Sequence, residues 1–475
     1  MMNLMSWKML MKVVRALRRV AAIAIAVAPM LLVSHTLVAA GITDNVKAAT
    51  LRNGLRVLVL ENHKAPVATL HIFYRVGSRN ETTGKTGIAH LLEHLMFRGT
   101  KTLKPEEFSN VIQENGGRDN AFTTADFTDY FEVINAANFD VPIRLEADRM
   151  ANFEPKGFDS ERDVVIEERR LRTDDEPQSA LDEMVEAQAY LQHSYHWPVI
   201  GWMRDLEHLT LDDVLAYHSI YYSPQNAIVV AVGAFDGDKV MRQISESFGG
   251  IKNGPKPPPY HLVEPPQAGE RRAELRRPAE LAAFQMAYHV PSYKDADSFA
   301  LELVSGVLSG GKSSRLYRRL VIEKPMVTSV DASYNMTSFD PTLFTISAQI
   351  RPGVKPDEVI AEIDKEIAAI RGQPIGADEL RKIKNQEQAQ FVFAQDSVFY
   401  QAMVLGVYEM IGGYKTLDQY LDRIEKVTSA DIQRVARIYL VANNRTTGHL
   451  IPTGVAAKRK PGGGARGGAV HGTIR

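Results

Sequence analysis

The chain has 475 residues, of which 45% are hydrophobic and 24% are charged, and it contains no cysteine. This length allows roughly two to four domains, and the composition is typical of soluble globular proteins rather than of disordered ones. The lack of cysteine excludes disulfides, thiolate metal sites, iron–sulfur clusters and cysteine nucleophiles. Any metal site must therefore use His, Asp or Glu.

Positive charge is concentrated at the two ends of the chain. Residues 1–40 and residues 458–475 each contain five Lys or Arg and no Asp or Glu. Without these ten charges the formal net charge of −1 becomes −11 for residues 41–457. Nucleic-acid binding needs a basic face, so the acidic body of the chain speaks against a nucleic-acid partner.

The first 40 residues have the order of a secretory signal peptide. A basic segment ends at Arg19, an apolar stretch runs from Val20 to Val33, and small residues follow up to Ala40. This order predicts cleavage after Ala40 and export, to the periplasm if the source is a Gram-negative bacterium. Two alternatives are an uncleaved membrane anchor, for which the run is short, and a mitochondrial presequence. No later apolar run is long enough to cross a bilayer, so we expect no membrane span in the mature chain.

Two halves follow, in which predicted elements recur in the same order. Strands and then a helix are predicted at 51–73 and 87–99, and again at 272–288 and 298–310. A strand followed by a helix is predicted from 128 to 150, and again from 342 to 370. This recurrence predicts a duplicated α+β unit.

A segment rich in Pro and Gly separates the two halves and indicates a linker. The predicted organisation is a signal peptide at 1–40, an N-terminal domain at 41–248, a linker at 249–271, a C-terminal repeat domain at 272–457, and a disordered Gly-rich basic tail at 458–475. The chemical assignment of the two domains depends on the motifs described next.

The strongest chemical motif is His90-Leu91-Leu92-Glu93-His94, on a predicted apolar helix. His90 and His94 are one helical turn apart and project from one face, so two neutral imidazoles can bind one zinc ion. Glu93 falls near the same face, where it could accept a proton from a zinc-activated water. This is the inverted H-x-x-E-H arrangement of a metallopeptidase.

A catalytic zinc ion usually has three protein ligands and one open position. The best source of a third ligand is the acidic run from Glu161 to Glu168, at the start of a helix for which Ser160 is the predicted N-cap. Glu161 and Glu168 are two turns apart on the same face, and Glu167 points about 100° away from Glu168. The residues alone leave the choice within this run open.

Residues 87–100, GIAHLLEHLMFRGT, resemble the pitrilysin/insulinase family of zinc metallopeptidases, which includes the mitochondrial processing peptidase. In that family the third ligand is the last Glu of an E-R-x-x-V-x-x-E pattern, and Glu168 ends such a pattern here. The resemblance implies one zinc ion per chain, bound by His90, His94 and Glu168, with Glu93 as the general base and Glu161 as a supporting catalytic acid.

The resemblance covers most of residues 45–450. It implies two tandem, duplicated α/β units, each with a mixed, largely antiparallel sheet packed with helices. It also implies a closed chamber for peptides or unfolded polypeptides, with an edge strand that pairs with extended substrate. The implied substrate-binding residues on that strand are Asn120, Ala121, Phe122 and Thr123. Pairing at an edge would hold a peptide through its backbone, and the alternative is an ordinary strand.

The second half departs from the family pattern. The family places an Arg and a Tyr, spaced R-x-x-x-x-x-x-Y, after a Ser-Ser-Arg-Leu stretch, and these residues stabilise the developing oxyanion. The stretch is present at 313–316, but the two positions fall at Val321 and Thr328. The second-half counterparts of the three zinc ligands are Leu301, Ser305 and Gln386.

We therefore predict a zinc endopeptidase that is the zinc-bearing subunit of a heterodimer, with a homologous sister subunit supplying the missing Arg and Tyr. One alternative is a homodimer that uses other donors, such as Tyr317, Arg318 or Arg319. A second alternative is a non-catalytic subunit that binds peptides or acts as a scaffold. The intact H-x-x-E-H motif favours the enzyme.

Overall fold

Two mixed β-sheets, one from each half of the chain, form the framework of the protein. The structure is a computed structural model and describes residues 41 and 43–454. The predicted signal peptide at 1–40 and the predicted tail at 458–475 lie outside the described residues. From Asn45 onward, the described residues belong to one compact unit.

The first sheet has six strands, in the spatial order β1-β2-β6-β3-β5-β4. Its strands are β1 Lys47–Thr50, β2 Arg56–Glu61, β3 Val67–Tyr74, β4 Arg118–Thr123, β5 Thr128–Asn135 and β6 Ala227–Gly233. The second sheet has five strands, in the order β7-β11-β8-β10-β9. Its strands are β7 Arg271–Arg277, β8 Ala283–Val290, β9 Val327–Tyr334, β10 Thr342–Ile350 and β11 Arg445–Pro452.

The two sheets repeat one topology. In each sheet a single pair is parallel, β2 with β6 and β7 with β11, and the other pairs are antiparallel. The spatial order β2-β6-β3-β5-β4 corresponds strand by strand to β7-β11-β8-β10-β9, and the first sheet adds β1. The predicted fold of two duplicated units with mixed, largely antiparallel sheets is therefore confirmed.

Helices pack against both sheets. In the first half they are α1 Ile88–Leu95, α2 Glu107–Glu114, α3 Asp140–Asn152, α4 Phe158–Arg169, α5 Pro177–Ala189, α6 Met203–Leu206, α7 Leu211–Tyr221 and α8 Gly237–Phe248. In the second half they are α9 Asp297–Ser309, α10 Arg315–Tyr317, α11 Pro356–Gly372, α12 Ala377–Ala394, α13 Val398–Ile411, α14 Tyr420–Lys426 and α15 Ser429–Tyr439. Within the described ranges, no helix is both long and apolar enough to cross a membrane.

Burial along the strands follows from this packing. β6 is buried at every position, and β3 at every position after its first residue. A strand covered on both faces needs a nearly continuous apolar sequence, which Ala227–Gly233 provides. By contrast, β4 is an edge strand with one fully buried residue, Ala121. This edge is the side of the first sheet that lies beside α1.

The two halves exchange one helix each. α5, from the first half, packs on β7, β8 and β11 of the second sheet, and α13, from the second half, packs on β3 and β6 of the first sheet. Glycines allow the close approach at both contacts. A Cβ on Gly406 of α13 would lie 2.1 Å from the ring of Phe73, and a Cβ on Gly448 of β11 would lie 2.4 Å from Val185 of α5.

Local details differ from the sequence-based expectations at one helix start. The N-cap of α4 is Gly157, with φ 74°, and Ser160 lies inside the helix, where its hydroxyl donates to the carbonyl of Gly157 over 2.7 Å. The predicted N-cap at Ser160 is therefore wrong, because glycine enters the left-handed conformation without steric cost.

Residues 251–270, within the predicted linker, contain neither helix nor strand. The domain boundaries themselves stay predictions.

Candidate metal centre and active site

The helix α1 carries the H-x-x-E-H motif, and its start is held by a buried carboxylate. The two side-chain oxygens of Glu81 accept hydrogen bonds from the backbone N–H groups of Gly87 and Ala89, each over 2.9 Å. Gly87 has φ 85°, and a Cβ there would lie 2.5 Å from the carbonyl oxygen of Ile200. A carboxylate at a helix N-terminus accepts hydrogen bonds from backbone N–H groups that have no partner within the helix, and it interacts favourably with the positive end of the helix dipole. Glu81 therefore fixes where α1 begins.

Three predicted zinc ligands converge between α1 and α4. His90, His94 and Glu168 each offer one ligand atom, and these atoms lie within 4.8 Å of one another. Oε2 of Glu168 lies 3.3 Å from Nε2 of His94 and 3.9 Å from Nε2 of His90. Within residues 41 and 43–454, this is the one group of three or more His, Asp or Glu side chains that could hold a metal ion. Two imidazoles and a carboxylate are a donor set of catalytic zinc sites, so the residues fit the implied metal.

Glu161 orients one of the histidines rather than facing the reaction site. Its Oε1 lies 3.0 Å from Nδ1 of His94, and its Oε2 accepts a hydrogen bond from Nε of Arg98. When the proton of His94 is on Nδ1 and donated to this carboxylate, the lone pair of Nε2 points to Glu168. Glu161 thus contacts a predicted zinc ligand, and its supporting role in catalysis stays a prediction.

Glu93 lies beside the three ligands and is 1% exposed. The hydroxyl of Thr123 donates to its Oε2 over 2.6 Å. Burial raises the pKa of Glu93 to about 7. A carboxyl group with a pKa near neutrality suits both uptake and release of a proton.

A cavity of about 220 Å³ opens at this point. Its walls come from α1, β4, the end of α4 and one loop, and they are formed by His90, Glu93, Ala121, Phe122, Thr123, Glu168, Arg172, Thr173, Val199 and Ile200. The cavity therefore brings together two of the three motif residues, His90 and Glu93, and three of the four predicted substrate-binding residues. Asn120 is the fourth, next to Ala121 on β4.

The strand β4 lies at the edge of the first sheet, as predicted for the substrate-binding segment. The backbone N–H of Ala121 donates to the side-chain oxygen of Asn120 over 2.9 Å. A strand at the edge of a sheet can pair with an added strand on its open side. The roles of Asn120, Ala121, Phe122 and Thr123 in binding substrate stay predictions.

Sequence reasoning missed the walls contributed by Val199, Ile200 and Arg172. The loop with Val199 and Ile200 is held by Arg169, which donates to the carbonyl of Gly201 over 2.7 Å and pairs with Glu183 at 2.9 Å. No motif in the sequence analysis pointed to this loop. Arg172 carried no motif of its own.

The second half shows no comparable site in the part of the chain that the structure describes. Leu301 and Ser305 lie on α9 and Gln386 on α12, the counterparts of α1 and α4. Val321 lies in a π-helical turn at Arg318–Glu323, and Thr328 is exposed on β9. Two of the three alternative donors contact acidic side chains: Arg319 contacts Glu362 at 2.8 Å, and Arg318 contacts Glu323 at 3.1 Å.

Comparisons with known proteins agree with this arrangement. Residues 56–201 match the family model described as insulinase (peptidase family M16), and residues 208–387 match that of the peptidase M16 inactive domain. The chain is 37% identical to the zinc protease PqqE of Helicobacter pylori over 414 residues, which are 86% of this chain and 93% of that protein.

Solved structures give the same result. The crystal structure of a protease from Helicobacter pylori has a TM-score of 0.83 and 35% identity, covering 86% of this chain and 99% of that one. The peptidase M16 inactive domain from Pseudomonas fluorescens has a TM-score of 0.76, with coverages of 87% and 99%, and at 17% identity it supports the fold alone. The chain therefore belongs to the insulinase family of peptidases, family M16.

Proposed function

We propose that the chain is a zinc-dependent endopeptidase that hydrolyses peptides or unfolded polypeptides inside a closed chamber. The observation that carries the proposal is the convergence of His90, His94 and Glu168 within 4.8 Å, with Glu93 buried in the same cavity. Such a donor set leaves a coordination position for water and substrate. The names of the zinc proteases among its relatives support the same reaction.

Different residues have different roles in the proposed reaction. When bound, zinc supplies Lewis acidity to the scissile carbonyl and to the attacking water. Glu93 accepts a proton from that water and passes it to the leaving amine. Thr123 orients the Glu93 carboxylate through its hydrogen bond. Thr123 lies on β4, the strand that we propose pairs with substrate.

The test is cleavage of a pooled set of quenched-fluorescence peptides by the zinc-loaded chain, with and without a chelator. We expect chelator-sensitive cleavage for the wild type in its active assembly. The Glu93→Gln variant should keep zinc and lose turnover. If turnover persists in Glu93→Gln at matched zinc content, Glu93 is not the base and the proposed mechanism is wrong.

We also propose that this chain is the zinc-bearing subunit of a heterodimer. The side chain of Val321 has no hydrogen-bond donor, and that of the exposed Thr328 is too short to replace a tyrosine. A homologous sister subunit would therefore supply the missing oxyanion donors. Full peptidase turnover by a homogeneous preparation of this chain alone would contradict the heterodimer. The lack of Arg and Tyr at positions 321 and 328 also favours the second candidate function, a non-catalytic peptide-binding subunit. In that case we expect peptide binding without cleavage, even when a sister subunit is added.

The location of the chain is a separate proposal. The basic, apolar and small-residue order of residues 1–40 supports export, and periplasmic location in a Gram-negative source. N-terminal sequencing of the protein from its source should give Gly41 as the first residue. An intact N-terminus in the membrane fraction would instead support the uncleaved anchor.

A further inference from the structure

The two carboxylate oxygens of Glu168 face different partners. Oε2 points to the metal-binding side, 3.3 Å from Nε2 of His94. Oε1 points the other way, where Nη1 of Arg172 lies 3.1 Å from it. The carboxylate is thus oriented by an arginine on one side while it offers a single oxygen on the other.

We infer that Arg172 is a positioning residue that holds Glu168 in one-oxygen coordination of the metal. This inference rests on the proposed zinc site and names a residue that neither the H-x-x-E-H motif nor the E-R-x-x-V-x-x-E pattern contains. An ion pair with the Arg172 guanidinium competes with binding of Oε1 to zinc. With one oxygen from Glu168, the metal keeps a position for water and substrate, which a two-oxygen mode would crowd.

The local structure explains why this arginine reaches Glu168. Arg172 lies in the π-helical turn Arg170–Asp174, which follows α4 directly. A Glu placed four residues before an Arg on one helical face is the favourable order for a side-chain pair. Single π-helical turns are frequent at functional sites. The side chain of Arg172 is 46% exposed and forms part of the cavity wall.

The same turn provides a matched comparison. Arg170 pairs with Glu167 at 3.2 Å and is 48% exposed, nearly the same as Arg172. Neither Arg170 nor Glu167 lines the cavity. The two arginines therefore share residue type, turn and exposure, and they differ in whether their acidic partner is a proposed zinc ligand.

Two possible roles of Arg172 predict opposite changes in zinc affinity. If the guanidinium acts only as a positive charge near a dication, its removal relieves repulsion and zinc binds more tightly. If it holds the carboxylate in place, its removal weakens zinc binding, by about 10- to 100-fold for groups of this kind. The sign of the change decides between the roles.

The experiment measures zinc affinity of the mature chain by competition with a chromophoric chelator, for the wild type and for Arg172→Gln, Arg172→Lys and Arg170→Gln. We expect the dissociation constant for zinc to rise about 10-fold in Arg172→Gln, to return toward the wild-type value in Arg172→Lys, and to stay unchanged in Arg170→Gln. Circular dichroism checks that every variant folds.

The visible absorption spectrum of the cobalt(II)-substituted chains gives a second readout, which a general loss of stability would not move. Cobalt(II) absorbs more weakly as its coordination number rises above four, so a second oxygen from Glu168 should lower the band intensity in Arg172→Gln. Unchanged or tighter zinc binding together with an unchanged cobalt spectrum overturns the inference. Failure of the wild type itself to bind zinc overturns the proposed function, and the two failures are thus distinguishable.

Discussion

The hydroxyl of Thr123 donates a 2.6 Å hydrogen bond to Oε2 of Glu93. Thr123 ends β4, the edge strand of the first sheet, and Glu93 lies on α1. The proposed base and the proposed substrate-binding strand are therefore in direct contact. Any displacement of this edge strand on peptide binding would act on the carboxylate that is to receive the proton.

The first prediction removes this hydrogen bond with Thr123→Val, which keeps the shape of the side chain. Hydrogen bonds to charged groups contribute about 1.5–3 kcal/mol, so we expect kcat/KM for peptide cleavage to fall roughly 10- to 100-fold while zinc content is retained. The control is Thr50→Val, since Thr50 is exposed on β1, at the opposite edge of the same sheet. A Thr123→Val enzyme with wild-type kinetics would show that the contact does not help to orient Glu93.

The second prediction concerns the support of His94. Glu161→Gln replaces a charged acceptor of the His94 Nδ1–H group with a neutral one, and it weakens the contact with Arg98. We expect zinc affinity to fall about 10- to 100-fold, with activity recovered by added zinc. Equilibrium zinc titration followed by activity at saturating zinc measures both effects. Glu167→Gln is the matched control on the same helix, and equal zinc affinity of the two variants would contradict the prediction.

Sequence reasoning was most successful where the chemistry is local. His90, Glu93 and His94 fall within one turn of helix, so their spacing alone predicted a shared face. Glu168 lies more than 70 residues away, and the residues alone left the choice of ligand open. The resemblance to a family pattern selected it, and the structure brings it to the two histidines.

The remaining features depend on tertiary contacts that no local pattern encodes. Ile200 reaches the cavity because its loop packs against Gly87, and this contact joins two segments more than 100 residues apart. The amphipathic pattern of a helix predicts that one face is buried, but not against which sheet. For this reason the exchange of α5 and α13 between the two halves was not predicted. The signal peptide and the tail stay predictions.

The third prediction tests that exchange at Gly406. A Cβ at this position would lie 2.1 Å from the ring of Phe73, so Gly406→Ala forces α13 away from the first sheet. Overpacking of this kind costs about 1–3 kcal/mol, and the midpoint of urea or thermal unfolding should fall accordingly. The comparison is Gly372→Ala at the end of α11, where a Cβ meets no atom within 4 Å. Equal stabilities of the two variants would argue against close packing of α13 on β3.

The last prediction concerns α9, the counterpart of the motif helix in the second half. Burial, with a further contribution from the negative charge of Glu387, raises the pKa of Glu302 on this helix to about 8, from an ordinary value of 4.5. The folded protein therefore holds a proton that the unfolded chain has lost, and the stability of the fold decreases as the pH rises from 4.5 to 8. Glutamine cannot ionise, so Glu302→Gln should leave stability nearly unchanged at pH 4.5 or below. At pH 9 it should add on the order of 1–3 kcal/mol to the free energy of unfolding.

Urea unfolding of the wild type and of Glu302→Gln at pH 4.5 and pH 9 measures this difference. Glu425→Gln provides the control, because the Glu425 side chain is exposed and contacts Lys384 only at 3.7 Å. Its stability should differ little from that of the wild type at either pH. If Glu302→Gln instead changes stability equally at both pH values, the effect comes from altered packing or hydrogen bonding and not from the buried charge.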